Sequence, residues 1–286
     1  MIKHIDKTVK FMYYGFGDER MENKFSKFVY GEKCTYKHAK GVAADPQREF
    51  HNYHEILLFV GGKTTFLTEE KRIPLSPYQT IIIPKETYHQ FINEVDEEYH
   101  RCVFSFYDIP ELDELIKKCM NTTRVIKPSN EQKALFRKMN ETMDSSSSKN
   151  EKQILMYALL TLVLDETAGG QAIVNEGSEP SVITQKSIEI INGNLCGNIS
   201  VSDIAKKISV SVSTLAQTFK RDMNISIYQY VLRKKLILAQ QKIEEGESAI
   251  SAALQCGFND YSGFYKQYKK NFGVAPSEKT KRFEEL

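Results

Sequence analysis

The sequence predicts an α+β multidomain protein: a strand-built N-terminal domain flanked on its C-terminal side by helices, then an all-helical C-terminal domain of seven helices. Three observations carry this. Residues 25–106 fall into short β-branched and aromatic runs, residues 181–283 follow a helical apolar period, and a Gly-rich stretch with no apolar period separates them. The 286 residues, 41% apolar and 27% charged, leave enough apolar surface for two separate cores.

The first strands are 55–60, 64–67, 80–83 and 101–106, punctuated at turn positions by Gly61-Gly62, Glu69-Glu70-Lys71, Pro74, Pro77 and Pro84. Many short strands at this spacing suggest a sandwich or small barrel. After Pro110 the period becomes helical, with helices expected at 110–120, 130–143 and 151–166 and a break at Ser145–Ser148. In the third helix Leu155, Leu159 and Leu162 share a face, with Ile154 and Ala158 beside it. Such a stripe is either a dimer seam or a surface packed on its own domain's sheet. Residues 168–180, with Gly169, Gly170, Gly177, Ser178 and Pro180, form the linker, so the domains divide at 1–167 and 181–286.

Charge separates along the same boundary. Residues 183–286 carry 15 Lys and Arg against 10 Asp and Glu, whereas the residues before them carry 24 against 27. A basic last part suits a polyanionic partner, although a surplus of this size is also common on solvated helical surfaces. The cysteines, Cys34, Cys102, Cys119, Cys196 and Cys256, are odd in number and form no CxxC pair, which argues against a disulfide framework or a zinc ribbon. No apolar run is long enough to span a bilayer, so a cytoplasmic protein without a membrane partner is expected.

Within the helical domain, a short helix from Ser202 to about Ile208 is followed by Ser211, an N-cap oxygen for a second helix to about Arg221. Ile204, Ala205, Ile208, Leu215 and Phe219 lie on the faces that would meet. Ser213, Thr214, Ala216, Gln217 and Lys220 are left outside, short polar or basic side chains able to enter a major groove. The arrangement recurs with a helix at 249–256, Gly257 at a left-handed turn position, and Asp260 capping a helix to Asn271. Its outer face carries Tyr261, Ser262, Gly263, Lys266, Gln267, Lys269 and Lys270. One long helix, 226–245, joins the two helix-turn-helix units. One such pair is a weak signal, and two in tandem are a much stronger one.

Gly257-Phe258-Asn259-Asp260-Tyr261-Ser262-Gly263-Phe264, followed by the basic aromatic segment to Phe272 and then Gly273-Val274-Ala275-Pro276-Ser277, resembles the signature of the AraC/XylS-type DNA-binding domain. The resemblance covers residues 181–283. It implies that Ser213, Ala216 and Gln217 face bases from the first unit, and Tyr261, Ser262, Lys266 and Gln267 from the second, with Lys220, Lys269 and Lys270 completing a surface for double-stranded DNA. The chain departs from the family at Ser209, where Gly is usual and strain is expected, at Lys235, and at Lys279-Thr280.

In that family the strand-rich partner is commonly a cupin-like barrel that binds a small effector and dimerises, and residues 25–107 are similar to such domains. His51 to Gly62, Leu75-Ser76-Pro77, Ile83-Pro84 and His89 carry the likeness. Arg48, His51, Glu55 and His89 are the implied effector-binding candidates, against the reading that they are solvent-facing or structurally hydrogen-bonded. A metal-dependent cupin enzyme would use similar residues. Facial metal binding needs inward-pointing ligands, and His51 and His54 are three apart where strand neighbours on one face are two apart. The usual first histidine falls at Glu49, so no metal or cofactor is expected. The resemblance therefore implies a transcription regulator, not an enzyme: a homodimer answering to a carbohydrate or related small polar effector, with RNA polymerase as a possible contact. The alternatives are a cupin-type metal enzyme fused to a DNA-binding module, or a regulator that takes no ligand.

Overall fold

A computed structural model describes residues 25–30, 33–42, 48–94, 98–146, 148–169, 176–197 and 199–278. Its strands are β1 (Phe25–Tyr30), β2 (Cys34–Val42), β3 (Arg48–Glu49), β4 (His54–Gly61), β5 (Thr64–Thr68), β6 (Arg72–Pro74), β7 (Thr80–Ile83), β8 (His89–Asn93), β9 (Glu98–Phe106) and β10 (Arg124–Ile126). They form a six-stranded sheet in the order β1-β2-β9-β4-β7-β10 and a four-stranded sheet in the order β3-β8-β5-β6. Side chains alternate across a strand, so Leu57 and Phe59 of β4 join Ile81, Ile83, Phe66, Phe91 and Val103 in one core, where both sheets contribute. Ile56 and Leu58 face the other way, against the helices. Covering both faces explains why β7, Thr80-Ile81-Ile82-Ile83, is an unbroken buried run rather than an alternating one.

The flanking helices are α1 (Asp113–Cys119), after a 3-10 turn at Pro110–Leu112, α2 (Asn130–Ser145) and α3 (Lys149–Ala168). Ser129 and Gln132 form a reciprocal capping box at the start of α2. On α3 the buried face is Met156, Leu159, Leu160, Val163, Leu164 and Thr167. This corrects the expected seam: Leu159 is fully buried in its own domain, Leu155 packs against the same core, and Ile154 and Leu162 remain exposed. A second difference is β10, which pairs with β7 and was not expected. At three residues it is too short to show a period.

The C-terminal helices are α4 (Val182–Asn192), α5 (Val201–Lys207), α6 (Val212–Met223), α7 (Ile227–Glu244), α8 (Ala249–Gln255) and α9 (Tyr261–Phe272). Six of the seven expected helices thus lie among the described residues, and the chain after Glu278 lies outside them. Each begins at a side-chain cap: Ser181, Ser200, Ser211, Ser226, Ser248 and Asp260 each accept from the backbone N–H three residues on. Such caps contribute about 1 kcal/mol apiece, and they fix where every helix starts. Asp222 ties α6 to α4 by accepting from the Ser181 amide and from the Ser181 and Thr184 hydroxyls. Burial works to raise this carboxyl, and those bonds, with that from Arg221, outweigh it and hold it at about 2.

Helix α7 belongs to two cores. Tyr230 joins Ile204, Ala205, Leu215 and Phe219 of the first unit, and Leu236 and Ala239 join Ala252, Ala253, Phe264 and Tyr268 of the second. Lys235 lies between them, its ammonium donating to the Gly197 and Gly257 carbonyls.

The two turns differ as expected from Ser209. Ser209 holds φ at 59° and Gly257 holds it at 70°, a left-handed conformation that glycine adopts at no steric cost. A Cβ at Gly257 would also approach the Cys196 and Gly197 carbonyl oxygens to 3.1 and 3.2 Å. Ser209→Gly is therefore expected to raise stability by about 0.5–1 kcal/mol, and Gly257→Ala to lower it by more than that. Urea unfolding of the two variants beside the parent checks both signs.

Candidate DNA interface and effector site

The cap at Ser211 and the apolar contacts of Leu215 and Phe219 fix the rotation of α6, leaving Ser213, Ala216, Gln217 and Lys220 exposed along one face. These positions follow i, i+3, i+4, i+7, the spacing of one helical stripe. On α9, Phe264 and Tyr268 point into the core, while Tyr261, Ser262, Lys266, Lys269 and Lys270 are exposed and Gln267 is half-buried. Both outer faces are rich in donors, and that of α9 is distinctly basic.

The candidate effector residues divide. Arg48 pairs in register with Gln90 on β8, and its side chain lies outside the described residues. His51, Glu55 and His89 come together from three places: the connection before β4, the start of β4, and the start of β8. All three are buried, His89 and Glu55 almost completely. His51 Nε2 lies 3.2 Å and His89 Nε2 3.4 Å from the same oxygen, Glu55 Oε2. Each Nδ1 faces a carbonyl, His51 that of Tyr53 at 2.8 Å and His89 that of Thr87 at 3.0 Å. A carbonyl only accepts, so each Nδ1 carries the proton. Ser105 of β9 donates to the other carboxylate oxygen at 3.0 Å. Burial works to raise the Glu55 carboxyl, and the charge and hydrogen bond of His51, then those of His89, hold it well below the usual range.

His54 stands apart. It lies on the opposite face of β4 from Glu55, its Nδ1 accepts from the Lys85 amide and its Nε2 pairs with Asp108. The strand rule applied to His51 and His54 did not find the cluster because His51 precedes the strand. No local spacing signals His89, which the second sheet brings in.

Next to these residues in sequence lie the side chains that join the two domains. Phe50 packs against the core of the first helix-turn-helix unit, and Tyr88 is part of it, 1% exposed and set edge-on to Tyr230 at 5.6 Å. The Tyr88 hydroxyl donates to the carbonyl of Met223, the last residue of α6, at 2.9 Å. That carbonyl has no acceptor role within its own helix. Gln90 accepts from Asn224, and Glu69 accepts from Tyr230 and from Lys234 at 2.9 Å. Asn52 donates to Glu244, and Arg72 and Ser178 exchange backbone bonds. None of these contacts was signalled by sequence pattern, because each links residues more than a hundred positions apart.

A two-sheet domain joined to two capped, polar-faced helix-turn-helix units defines a DNA-binding transcription regulator with a ligand-binding domain. The model of the AraC-like ligand binding domain matches residues 35–160, and a helix-turn-helix domain model matches residues 204–282. The chain belongs to the AraC/XylS family, with a cupin-like first domain and a tandem helix-turn-helix second. The Msm operon regulatory protein of Streptococcus mutans is 24% identical over 256 residues, covering 86% of this chain and 88% of that one. The probable transcriptional regulator LumQ of Photobacterium leiognathi is 39% identical over 103 residues, 32% of this chain and 42% of its own length. The lactose operon transcription activator of Staphylococcus xylosus is 28% identical over 151 residues, covering 50% and 52% respectively. Among the described residues no helix is long and apolar enough to cross a membrane.

The Tyr88 hydroxyl gives a direct check on the domain contact. Tyr88→Phe keeps the ring and leaves the Met223 carbonyl without its donor, at an expected cost of about 1–3 kcal/mol. Amide exchange in the last turn of α6 should rise in this variant while exchange in α9 stays at the parent level.

Proposed function

We propose that this regulator is a cytoplasmic homodimer that reads two blocks of double-stranded DNA with α6 and α9 and answers to a small polar effector bound at Arg48, His51, Glu55 and His89. One observation supports the response above others: His51 and His89 adjoin Phe50 and Tyr88, so the proposed effector residues and those seated in the DNA-binding domain are successive along the chain. A ligand that moves either histidine moves the backbone that carries the interface. A carbohydrate fits the polar, charge-paired site, and a relative named for the lactose operon belongs to the same family. The relatives are regulators rather than enzymes, which favours an effector over a substrate.

For DNA, Gln217 and Gln267 suit paired hydrogen bonds to base edges, and Lys220, Lys269 and Lys270 suit phosphates. If α7 holds the two units on one side of the duplex, one protomer protects two blocks about 10 base pairs apart. Gln217→Ala should cost about 1–3 kcal/mol at one block and relax its sequence preference, whereas Lys270→Ala should weaken all sequences alike and lower the salt slope by about one. Footprinting and salt titration of the full chain separate these outcomes. The reverse pattern would reassign the two faces.

For the dimer, the exposed stripe Ile154, Ala158 and Leu162 on α3 replaces the seam expected from sequence, with Ile154 69% and Leu162 40% exposed. These residues repeat every fourth position and lie on one helix face. Light scattering should find a dimer for the parent and a folded monomer for Leu162→Glu. An unchanged dimer would place the seam elsewhere.

A further inference from the structure

We propose that Cys196 and Cys256 form a reversible, peroxide-responsive disulfide that fastens the first helix-turn-helix unit to the second and lowers affinity for DNA. Three observations point there. The first is proximity. Cys196 lies in the connection between α4 and α5, and Cys256 is the C-cap of α8, one residue before the left-handed turn at Gly257. The two segments pack backbone to backbone: a Cβ at Gly257 would stand 3.1 Å from the Cys196 carbonyl oxygen and 3.2 Å from that of Gly197. A disulfide needs Cα atoms about 4.4–6.8 Å apart, a range open to segments in such contact. The second observation is the cation between them. The Lys235 ammonium donates to the Gly197 and Gly257 carbonyls at 3.1 and 3.2 Å, each residue the neighbour of a cysteine. Burial works to lower this ammonium, and Cys256 and then Cys196 act against that. The third is exposure: Cys196 is open to solvent, whereas Cys256 is fully buried in the core that holds Phe264 and Tyr268.

The unequal exposure divides the roles. A redox-responsive thiol is solvent-accessible and set beside a resolving one, and here the accessible thiol is Cys196. Its thiolate attacks hydrogen peroxide: an S–O bond forms, the O–O bond breaks, and the hydroxide released takes up a proton to become water. The sulfenic acid left on Cys196 is then attacked by the Cys256 sulfur. The S–S bond forms, the S–O bond breaks, and the leaving oxygen carries off the Cys256 proton as a second water. Two thiols are thus oxidised by two electrons and one peroxide is reduced to two waters. Burial, and then the Cys196 thiol beside it, push Cys256 up to about 11, so it rests as a thiol and serves the second step. In a reducing compartment a disulfide of this kind is transient and signalling rather than structural. To reach Cys196, the Cys256 sulfur turns out of the core that seats α9, so the bond ties the two units together and loosens the second. The consequence for DNA rests on the reading of α6 and α9 as the DNA-facing helices, and formation of the bond does not.

The test uses the full chain, reduced with dithiothreitol, desalted and exposed to a small excess of hydrogen peroxide. Peptide mapping by mass spectrometry without reductant should find the peptides of Cys196 and Cys256 joined within one chain, two hydrogens lighter than their sum, and dithiothreitol should separate them. Cys196→Ser should leave Cys256 a free thiol, and because position 196 is exposed this variant keeps the test valid where Cys256→Ser does not fold. In a folded Cys256→Ser, dimedone should trap a sulfenic acid on Cys196. The DNA probe is the sequence that the reduced chain selects from a random pool. Peroxide should weaken its binding about 10-fold or more in the parent, reversibly, and leave Cys196→Ser unchanged. Cys34, Cys102 and Cys119, at most 1% exposed in the other domain, serve as internal controls. Their oxidation ahead of Cys196, a bond between two chains through Cys196, sulfinate on Cys196 with Cys256 still free, or a disulfide that leaves DNA binding unaltered overturns the proposal. Failure of the reduced chain to select any DNA would instead overturn the reading of α6 and α9, and the peptide map would still decide the disulfide.

Discussion

The hydrogen bond from Tyr88 to the carbonyl of Met223 is the contact on which the arrangement of this molecule turns. It comes from the β-domain and ends α6 of the other domain. Asn224, in the left-handed conformation, stops α6 and leaves its terminal carbonyl exposed for a partner. A tyrosine suits the position because its ring joins the core of α4 to α7 while its hydroxyl supplies a donor. Helix α6 is thus completed by a residue that precedes His89 by one position, and the state of the β-domain is written into the packing of α6.

Tyr230 extends the same contact. It touches Tyr88 and Phe219 through its ring and Glu69 through its hydroxyl, and burial, with Glu69 beside it, keeps that hydroxyl protonated by raising it well above the ordinary range. Because α7 carries Tyr230 in one core and Leu236 and Ala239 in the next, a single helix links the domain contact to the cores of both units. The Lys235 ammonium, bonded to the Gly197 and Gly257 carbonyls, ties the second turn to the connection between α4 and α5.

Much of the helical domain was legible because its information is local. The caps at Ser211 and Asp260, one left-handed glycine and the apolar period place α5 to α9, and even the strain at Ser209 followed from the residue that stands there. The β-domain was legible only as a class. Its central runs, Ile56 to Val60 in β4 and Ile81 to Ile83 in β7, are apolar without a break because both faces of the larger sheet are covered, so no alternation says which residues face the second sheet. On α3 the apolar residues are too many for period alone to separate Leu159, which is buried, from Leu162, which is not. The His51, Glu55 and His89 cluster depends on the packing of one sheet against the other, and β10 on three residues that pair with a distant strand. Neither has a local signature.

The backbone pairing of Arg72 with Ser178 bears on how firmly the domains hold together. Ser178 sits four residues before α4, so the start of the DNA-binding domain is moored on the β-domain itself. Faces joined within one chain meet at an effective concentration on the order of millimolar. A contact with an intrinsic dissociation constant near that value would then be closed about half the time. At such a balance each 1.4 kcal/mol shifts the ratio of closed to open about tenfold, so a ligand needs only a modest preference for one arrangement to redistribute the population.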